Sequence, residues 1–192
     1  MRWNAILNRR AIIFSLIPLF FLSSCSDLSE APLALSERLG EIDSATYTIE
    51  ITASFPKTEE EFTLGYTYKR DGESRGTVIL PDIVSGVSFS VRDNLANLEF
   101  DGMRLETGRF SEIGISPFTA PAKLIDSWKN FESVEKTRIF SKNSLLAISR
   151  SGALETRTWF SEDETLPLYA ELYADGERII KCNFKGAEHK TE

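Results

Sequence analysis

Two cysteines carry the most reactive side chains of this chain, and the first of them, Cys25, stands in a pattern with a defined chemistry. It closes the sequence Leu22-Ser23-Ser24-Cys25, which follows a 12-residue apolar run (11–22) and a segment with three arginines. This order is typical of a secretory signal peptide, which ends in small residues at its cleavage site. It is similar to a bacterial lipobox, in which the cysteine sulfur receives a diacylglyceryl group and the chain is cut just before it. We therefore expect residues 1–24 to be a lipoprotein signal peptide and Cys25 to be the lipid attachment residue.

The apolar run is short for a membrane-spanning helix. Spanning a bilayer takes about 20 apolar residues, whereas this run contains Pro18 and ends at two serines. An uncleaved anchor and a buried helix are the alternatives. Because stable anchoring takes two signals or two chains, a diacylglyceryl group should suffice to hold the protein on the extracytoplasmic face of a bacterial membrane. An aspartate, Asp27, is the second residue after Cys25. This position is compatible with anchoring in an outer membrane.

The mature chain is strongly acidic. Removal of residues 1–24 takes away three arginines and no acid, which leaves 19 basic and 29 acidic residues and a net charge of −10. Such a balance argues against binding to nucleic acid, which needs clustered lysine and arginine. It also gives no attraction to anionic headgroups, so the lipid chains must provide the membrane attachment.

Other residues that could do chemistry lack partners in the sequence. Cys182 lies at strand spacing between Ile180 and Phe184, and we expect a small buried apolar side chain there, with a reactive thiol as the alternative. The single histidine, His189, is three residues from the end and is expected to be solvated. The sequence therefore predicts no Ser-His-Asp arrangement and no histidine-based metal site.

Three further patterns are weak. Ser133 and Lys136 have the S-x-x-K spacing of serine acyl-enzymes, but no S-D-N or K-T-G sequence accompanies them. The acidic runs 59–61 and 162–164 are expected to be solvated turns, because consecutive loop carboxylates rarely converge on a metal ion. We therefore expect a non-enzymatic protein without a cofactor.

The elements of the mature chain are predicted from periodicity. A tether, 25–31, leads into a short helix, Glu30–Leu39, and Leu28, Leu35 and Leu39 would share one side. Alternation of apolar and polar residues then predicts eleven strands. They are Thr46–Ala53, Glu61–Arg70, Gly76–Leu80, Gly86–Val91, Asn97–Phe100, Met103–Thr107, Glu132–Phe140, Ser144–Ser149, Ala153–Phe160, Leu168–Tyr173 and Arg178–Phe184.

Turn residues connect these strands. Asp-Gly occurs at 71–72, 101–102 and 175–176, and this dipeptide is typical of type I′ hairpins. A further turn is predicted at Lys142-Asn143. The connections indicate an antiparallel meander in a domain that covers 32–186, followed by a polar tail, 187–192.

One segment, Ser116–Asn130, has helical periodicity instead. Ser116 or Thr119 can cap it, and a proline falls in the first turn in either case. Its apolar residues share one stripe, and they are Phe118, Pro121, Ala122, Ile125 and Trp128.

The order of these elements resembles the LolA/LolB/LppX superfamily of lipoproteins. The resemblance rests on an N-terminal helix, a long antiparallel meander, a helix near two-thirds of the chain and closing hairpins. Within it, residues 77–89, the sequence Leu98–Gly102 and Ser116-Pro117-Phe118 before a helix look most like the GerS group of germination-associated lipoproteins of clostridia. The resemblance implies an α+β, mostly β fold, in which a strongly curved antiparallel sheet forms an incomplete barrel covered by one or two helices.

The resemblance also implies two functions. In the first, the concave face binds an acyl chain or a lipidated protein, with a candidate cavity lined by Phe89, Phe118, Leu124, Ile125 and Trp128. In the second, the protein is an interaction module that assists a cell-wall amidase in spore cortex modification. A cavity favours the first function, whereas a filled core with an exposed apolar patch favours the second.

Overall fold

The computed structural model describes residues 30–55, 57–70, 72–92, 95–109, 115–163 and 166–191. The predicted signal peptide 1–24, the lipid attachment residue Cys25 and the first five residues of the predicted tether lie outside these described residues. The interpretation of the N-terminal segment therefore stays a prediction.

Within these described ranges, eleven strands are present where alternation in the sequence predicts them. They are β1 (Ile42–Ser54), β2 (Glu59–Lys69), β3 (Ser74–Leu80), β4 (Ser88–Arg92), β5 (Leu95–Phe100), β6 (Met103–Arg109), β7 (Ser133–Ile139), β8 (Lys142–Ser151), β9 (Leu154–Ser161), β10 (Pro167–Ala174) and β11 (Glu177–Thr191). A short 3-10 helix, Asp82–Val84, lies between β3 and β4.

All eleven strands belong to one antiparallel sheet, in the order β6-β5-β4-β3-β2-β1-β11-β10-β9-β8-β7. Two meanders, β1–β6 and β7–β11, join where the first strand pairs with the last, with Ile49 opposite Phe184 and Ile51 opposite Cys182. Irregularities in the register of β1 with β11 and of β10 with β11 increase the local twist and bend the sheet. The sheet is not closed, because β6 and β7 stand at the two ends of this order. The predicted curved, mostly β half-barrel is confirmed.

The core fills the concave face of the sheet. Alternate residues of β1 are buried from Ala45 to Ala53, as period two requires. The second meander contributes Ala147, Phe160, Leu172 and Cys182, each almost fully buried. The opposite, convex face carries the polar and charged partners of this alternation.

Two helices cover the concave face. Helix α1 spans Glu30–Gly40 and buries Leu35 and Leu39, the two predicted apolar positions that the structure describes. Helix α2 spans Ala120–Ser127 and buries Leu124 and Ile125. Neither helix, within the part of the chain that the structure describes, is long and apolar enough to cross a membrane.

Helix α2 is shorter than predicted. Thr119 stands at the N-cap, and its hydroxyl accepts a hydrogen bond from the Ser116 backbone N–H at 3.0 Å. At the other end the Trp128 N–H bonds to the Ile125 carbonyl, which tightens the last turn and ends the helix. The hydroxyl of Ser149 on β8 donates to the Ser127 and Asn130 carbonyls at 2.8 and 2.5 Å, so it ties this end of α2 to the sheet.

Two of the three Asp-Gly turns have the predicted geometry. Both central residues have positive φ at Asp101-Gly102, with values of 51° and 76°, and at Asp175-Gly176, with 51° and 82°. The prediction is wrong for 71–72, where Gly72 does not adopt a positive φ. There the connection between Lys69 and Ser74 is four residues long, which removes the constraint that a two-residue loop imposes.

The turn predicted at Lys142-Asn143 lies two residues earlier. Phe140 and Ser141 occupy its centre with φ of 50° and 64°, and Lys142 already begins β8. Positive φ is rare for a bulky residue, which is why the sequence pointed to Asn143. The Phe140 ring packs edge-on against Tyr169 at 5.9 Å, a contact that compensates part of this cost.

Strand β11 continues beyond the predicted end of the domain. Its backbone pairs with β1 as far as Thr191, which lies opposite Ile42, and His189 lies opposite Ala45. The segment expected to be a polar tail is therefore part of the sheet up to Thr191. The prediction was wrong because it took polar side chains as a sign of a tail. The hydrogen bonds of a sheet are formed by the backbone, so a polar segment can also pair as a strand.

Candidate functional site

An apolar pocket lies between the ends of both helices and the sheet. Its volume is about 230 Å³, and its wall combines the C-terminal ends of α1 and α2 with the start of β1 and the end of β2. The lining residues are Leu39, Gly40, Ile42, Tyr47, Tyr68, Arg70, Ile125, Trp128 and Lys129. A concave, mostly apolar site with a few polar groups at its edge is the usual form of a small-molecule site.

Trp128 forms a fixed wall of this pocket. Its indole N–H donates to the Thr158 hydroxyl at 3.1 Å. Its ring lies edge-on to Phe160 at 5.2 Å and to Tyr47 at 6.3 Å. Because the indole N–H is satisfied within the core, the indole presents only apolar surface to the pocket.

Two tyrosines complete the wall from the sheet. Tyr47 on β1 and Tyr68 on β2 point to the concave face, because Tyr68 stands opposite Ala45 in the same ladder. Burial raises the pKa of the Tyr47 phenol, and neighbouring Tyr66 and Tyr68 raise it further. The phenol therefore stays neutral at every physiological pH.

Two cations stand at the edge of the pocket. The Arg70 Nε donates to the Ile42 carbonyl at 3.1 Å, which holds the guanidinium beside the start of β1. The Lys129 ammonium lies 2.7 Å from the Asp126 carboxylate, and this hydrogen bond raises the pKa of Lys129. The Lys129 ammonium is therefore charged at neutral pH.

The five residues predicted to form the cavity have different environments. Ile125 and Trp128 line the pocket. Leu124 is fully buried beneath α2, and Phe89 is also buried, 3% exposed. Phe118 lies 5.6 Å from Phe62 and 5.7 Å from Phe89, measured between ring centroids. In this half of the sheet the aromatic rings pack against one another and fill the concave face.

Tyr47, Tyr68, Arg70 and Lys129 were not predicted as site residues. Tyr47 and Tyr68 fall at apolar positions of the predicted strands Thr46–Ala53 and Glu61–Arg70, and the antiparallel pairing of those strands was the signal that joins them. No sequence pattern marked Arg70 or Lys129 as a site residue, because single basic residues are common at the ends of helices and strands.

The remaining candidates for chemistry do not converge. Ser133 and Lys136 are three apart on β7, so they point to opposite faces of the strand. The Lys136 ammonium instead pairs with Glu162 at 2.6 Å. Cys182 is fully buried, and burial raises the pKa of its thiol far above the usual range. Among the described residues no group of three His, Cys, Asp or Glu side chains could hold a metal ion.

A polar cluster on the convex face was also missed. Glu171, 7% exposed, accepts hydrogen bonds from the hydroxyls of Tyr169 at 3.0 Å and Tyr173 at 2.8 Å. It also pairs with Arg178 at 2.9 Å, and the Arg157 guanidinium lies over the Tyr173 ring. Burial alone would raise the pKa of Glu171, but the bonds from Tyr173, Arg178 and Tyr169 outweigh it and the pKa is lowered. The Tyr-x-Glu-x-Tyr spacing on one face of β10 was the available signal.

Comparison with solved structures identifies the class of fold. A DUF1329 family protein from Desulfovibrio piger superposes with a TM-score of 0.53 at 10% identity, over 86% of this chain and 94% of that chain. An uncharacterized conserved protein from Thermus thermophilus gives 0.53 at 8% identity, over 85% and 88%. A putative outer membrane lipoprotein-sorting protein domain from Vibrio parahaemolyticus gives 0.51 at 12% identity, over 84% and 93%.

The chain therefore shares its fold with these three proteins. At 8–12% identity this likeness concerns the fold alone. No family model matches the chain, and no curated protein matches it.

Proposed function

We propose that this protein is a non-catalytic lipoprotein, anchored through Cys25 on the extracytoplasmic face of a membrane, that binds an acyl chain of a lipid or of a lipidated protein. The observation that supports this proposal most directly is the apolar pocket between α1, α2 and the sheet. A curved sheet with helices across its concave face leaves this space at the helix ends. The lipoprotein-sorting fold of the Vibrio protein agrees with it.

The volume of the pocket limits its occupant. About 230 Å³ holds roughly eight groups of the size of water at ~30 Å³ each. This is room for part of one acyl chain. At about 0.8 kcal/mol for each buried CH₂, eight methylenes contribute ~6 kcal/mol before the cost of association is subtracted. The expected affinity is therefore modest and depends on chain length.

Tryptophan fluorescence can test the proposal. Once residues 1–24 are removed, the chain contains two tryptophans, Trp128 in the pocket wall and Trp159. Trp159 alternates with the buried Phe160 on β9 and packs against Tyr169 at 5.3 Å on the convex face. A fatty acid brominated along its chain should quench Trp128 in a Trp159→Phe variant.

The matched control is the Trp128→Phe variant, which retains only Trp159 on the other face of the sheet. Its fluorescence should not change with the same brominated fatty acid. Equal quenching in both variants would show non-specific adsorption, and no quenching in either would refute acyl-chain binding at this pocket.

A second function, protein interaction, is favoured by one surface. Three neighbouring hairpins turn at the same end of the strands, and their tips expose large apolar side chains. These are Phe55 in the β1–β2 hairpin, Leu80 and Ile83 in the β3–β4 hairpin, and Phe100 and Met103 in the β5–β6 hairpin, where Leu80, Phe100 and Met103 are the terminal residues of their strands. Neighbouring tips are two strands apart, so they lie about 10 Å from one another at ~4.8 Å per strand.

The same hairpins carry the acidic residues Glu59, Glu60, Asp82 and Asp101, against the basic residues Lys57 and Arg104. Anionic headgroups would be repelled by them, so a partner protein with a basic and apolar surface is the better fit. The partner that the GerS-like resemblance implies is a cell-wall amidase. The Ile83→Ser variant, at a position 88% exposed, should weaken binding to the purified amidase. The same change at Leu33, an exposed residue of α1, should not. If the original protein, the Ile83→Ser variant and the Leu33→Ser variant bind the amidase equally well, these hairpin tips are excluded as its binding surface.

A further inference from the structure

Basic side chains gather beside the apolar pocket. A second pocket, of about 240 Å³, shares Tyr68, Arg70 and Lys129 with the first, so the two adjoin along these residues. The basic residues that line one or both pockets are Lys69, Arg70, Arg92, Lys123 and Lys129. Asp126 is the acidic residue that the described parts of the chain contribute to the same walls.

This local excess of basic residues contrasts with the acidic composition of the whole chain. The mature protein has a net charge of −10, yet the cations of Arg70, Lys123 and Lys129 and the single carboxylate of Asp126 border the two pockets. Lys69 and Arg92 line the second pocket from strand positions next to the inward-facing Tyr68 and Val91, so their charged groups lie on the other face of the sheet. Asp126 is engaged by Lys129 at 2.7 Å. Within the described residues Lys123, which is half-buried on α2, forms no ion pair. Asp126 offsets one of these charges, so the site keeps an excess of positive charge within the described residues.

The guanidinium of Arg70 can still act as a donor. Its Nε is committed to the Ile42 carbonyl, but a guanidinium has five N–H donors in a fixed fork. Such a fork matches the oxygens of a phosphate or carboxylate. Arg70 belongs to both pockets, so an anion bound to it lies directly next to the apolar space.

We propose that the two pockets form one site for an amphiphile with an anionic phosphate or carboxylate head. The chain occupies the apolar pocket, and the head lies against Arg70, Lys123 and Lys129. This inference rests on the proposed acyl-chain binding and adds the charge of the ligand to it. A neutral head would cover these cations without pairing them, and that loss of hydration opposes binding. The site thus selects its ligand by the charge of the head.

Titration calorimetry with three soluble probes tests the inference on the purified protein. Decyl phosphate has both the chain and the anion, decanol has the chain alone, and inorganic phosphate has the anion alone. Decyl phosphate should bind at least about tenfold more tightly than decanol at low ionic strength. This advantage should shrink as salt rises toward ~1 M, where the screening length falls to ~3 Å.

A charge-matched pair of double variants locates the effect. Lys123→Gln with Lys129→Gln should weaken decyl phosphate binding about tenfold. Decanol binding should be unchanged in Lys123→Gln, because Lys123 lines only the second pocket. Lys136→Gln with Lys185→Gln removes the same charge from ion pairs with Glu162 and Glu50 elsewhere on the sheet, and it should change neither affinity. Lys123→Gln alone keeps the Lys129–Asp126 pair and should weaken decyl phosphate binding in the same direction.

The outcomes separate the inference from the proposed function. Equal affinity for decyl phosphate and decanol would overturn the anionic head and leave acyl-chain binding in place. Failure of both probes to bind would overturn the proposed function itself. Inorganic phosphate binding as tightly as decyl phosphate would show a site for a free anion and would also overturn the lipid assignment.

Discussion

Replacing Gly76 by alanine places a methyl group where the ring of Phe89 now lies. Gly76 and Phe89 face each other across β3 and β4, and a Cβ built at Gly76 would stand 2.1 Å from Cζ of Phe89. Ordinary carbon contacts are about 3.5–4.0 Å, so the ring would have to move by roughly 1.5 Å. The ring is held between Tyr66 at 6.1 Å and Phe118 at 5.7 Å. Overpacking of this kind typically costs about 1–3 kcal/mol.

Urea unfolding of the purified protein measures this cost as a change in the free energy of unfolding. We expect Gly76→Ala to lower it by about 1–3 kcal/mol, even though alanine in a strand is intrinsically favoured over glycine by ~0.5–1 kcal/mol. Gly65→Ala is the matched control on the neighbouring strand. Its Cβ would meet Ile79 Cδ1 at 3.7 Å, an ordinary contact, so stability should be kept or should rise slightly.

A double-mutant cycle identifies the cause. If the ring is responsible, Gly76→Ala should cost little in a Phe89→Ala background, since the space is then empty. A Gly76→Ala variant as stable as the original protein would refute the reasoning. So would a cost that persists unchanged without the ring.

Three further predictions concern the anchor, the buried thiol and the convex cluster. Cys25→Ser should release the protein from membranes, which fractionation and immunoblotting measure; retention after extraction of peripheral proteins would contradict the lipid attachment. Cys182, buried and with a raised pKa, should react with a thiol reagent only after unfolding, and rapid labelling of the native protein would contradict its burial. Glu171→Gln should cost about 1–3 kcal/mol at pH 7, because it removes the charge that Arg178 pairs with. The pKa of Glu171 is lowered in the folded state, so this stability is present above the unfolded pKa of ~4.3 and is lost as pH falls through the folded pKa. Urea unfolding should therefore show the difference between the two proteins vanishing in acid, and a constant difference would exclude a role for the charge.

The sheet could be predicted from the sequence because period two is a strong signal. Each of the eleven strands was found, and the Asp-Gly pairs at 101–102 and 175–176 gave their hairpins. The errors fell where local preference and tertiary contact disagree. Phe140 accepts a positive φ because its ring rests on Tyr169, and no local rule contains that contact. The end of β11 depends on backbone pairing with β1, which polar side chains do not reveal.

The candidate site was less predictable for a different reason. The alternation pattern says which side chains face the interior, but it does not say where the interior is empty. Phe89 and Phe118 face inward and form part of the filled core, whereas Tyr47 and Tyr68 face inward and border the pocket. The difference lies in the curvature of the sheet and the position of α2. Gly76 did give a hint, since glycine inside a strand often marks a close approach of another group.

In the described part of the chain the sheet has two edge strands, so no closed ring of ladders fixes its radius. Within the described residues β6 and β7 stand at opposite ends of the strand order and close no ladder. A closed barrel fixes its radius through its strand number and stagger, whereas here each of the ten ladders can change its twist slightly within the ordinary range of ~10–35°. A relaxation of about 3° in each would add up to roughly 30° over the sheet without breaking a ladder hydrogen bond. The width of the concave face is therefore not fixed by strand number and stagger, as it is in a closed barrel.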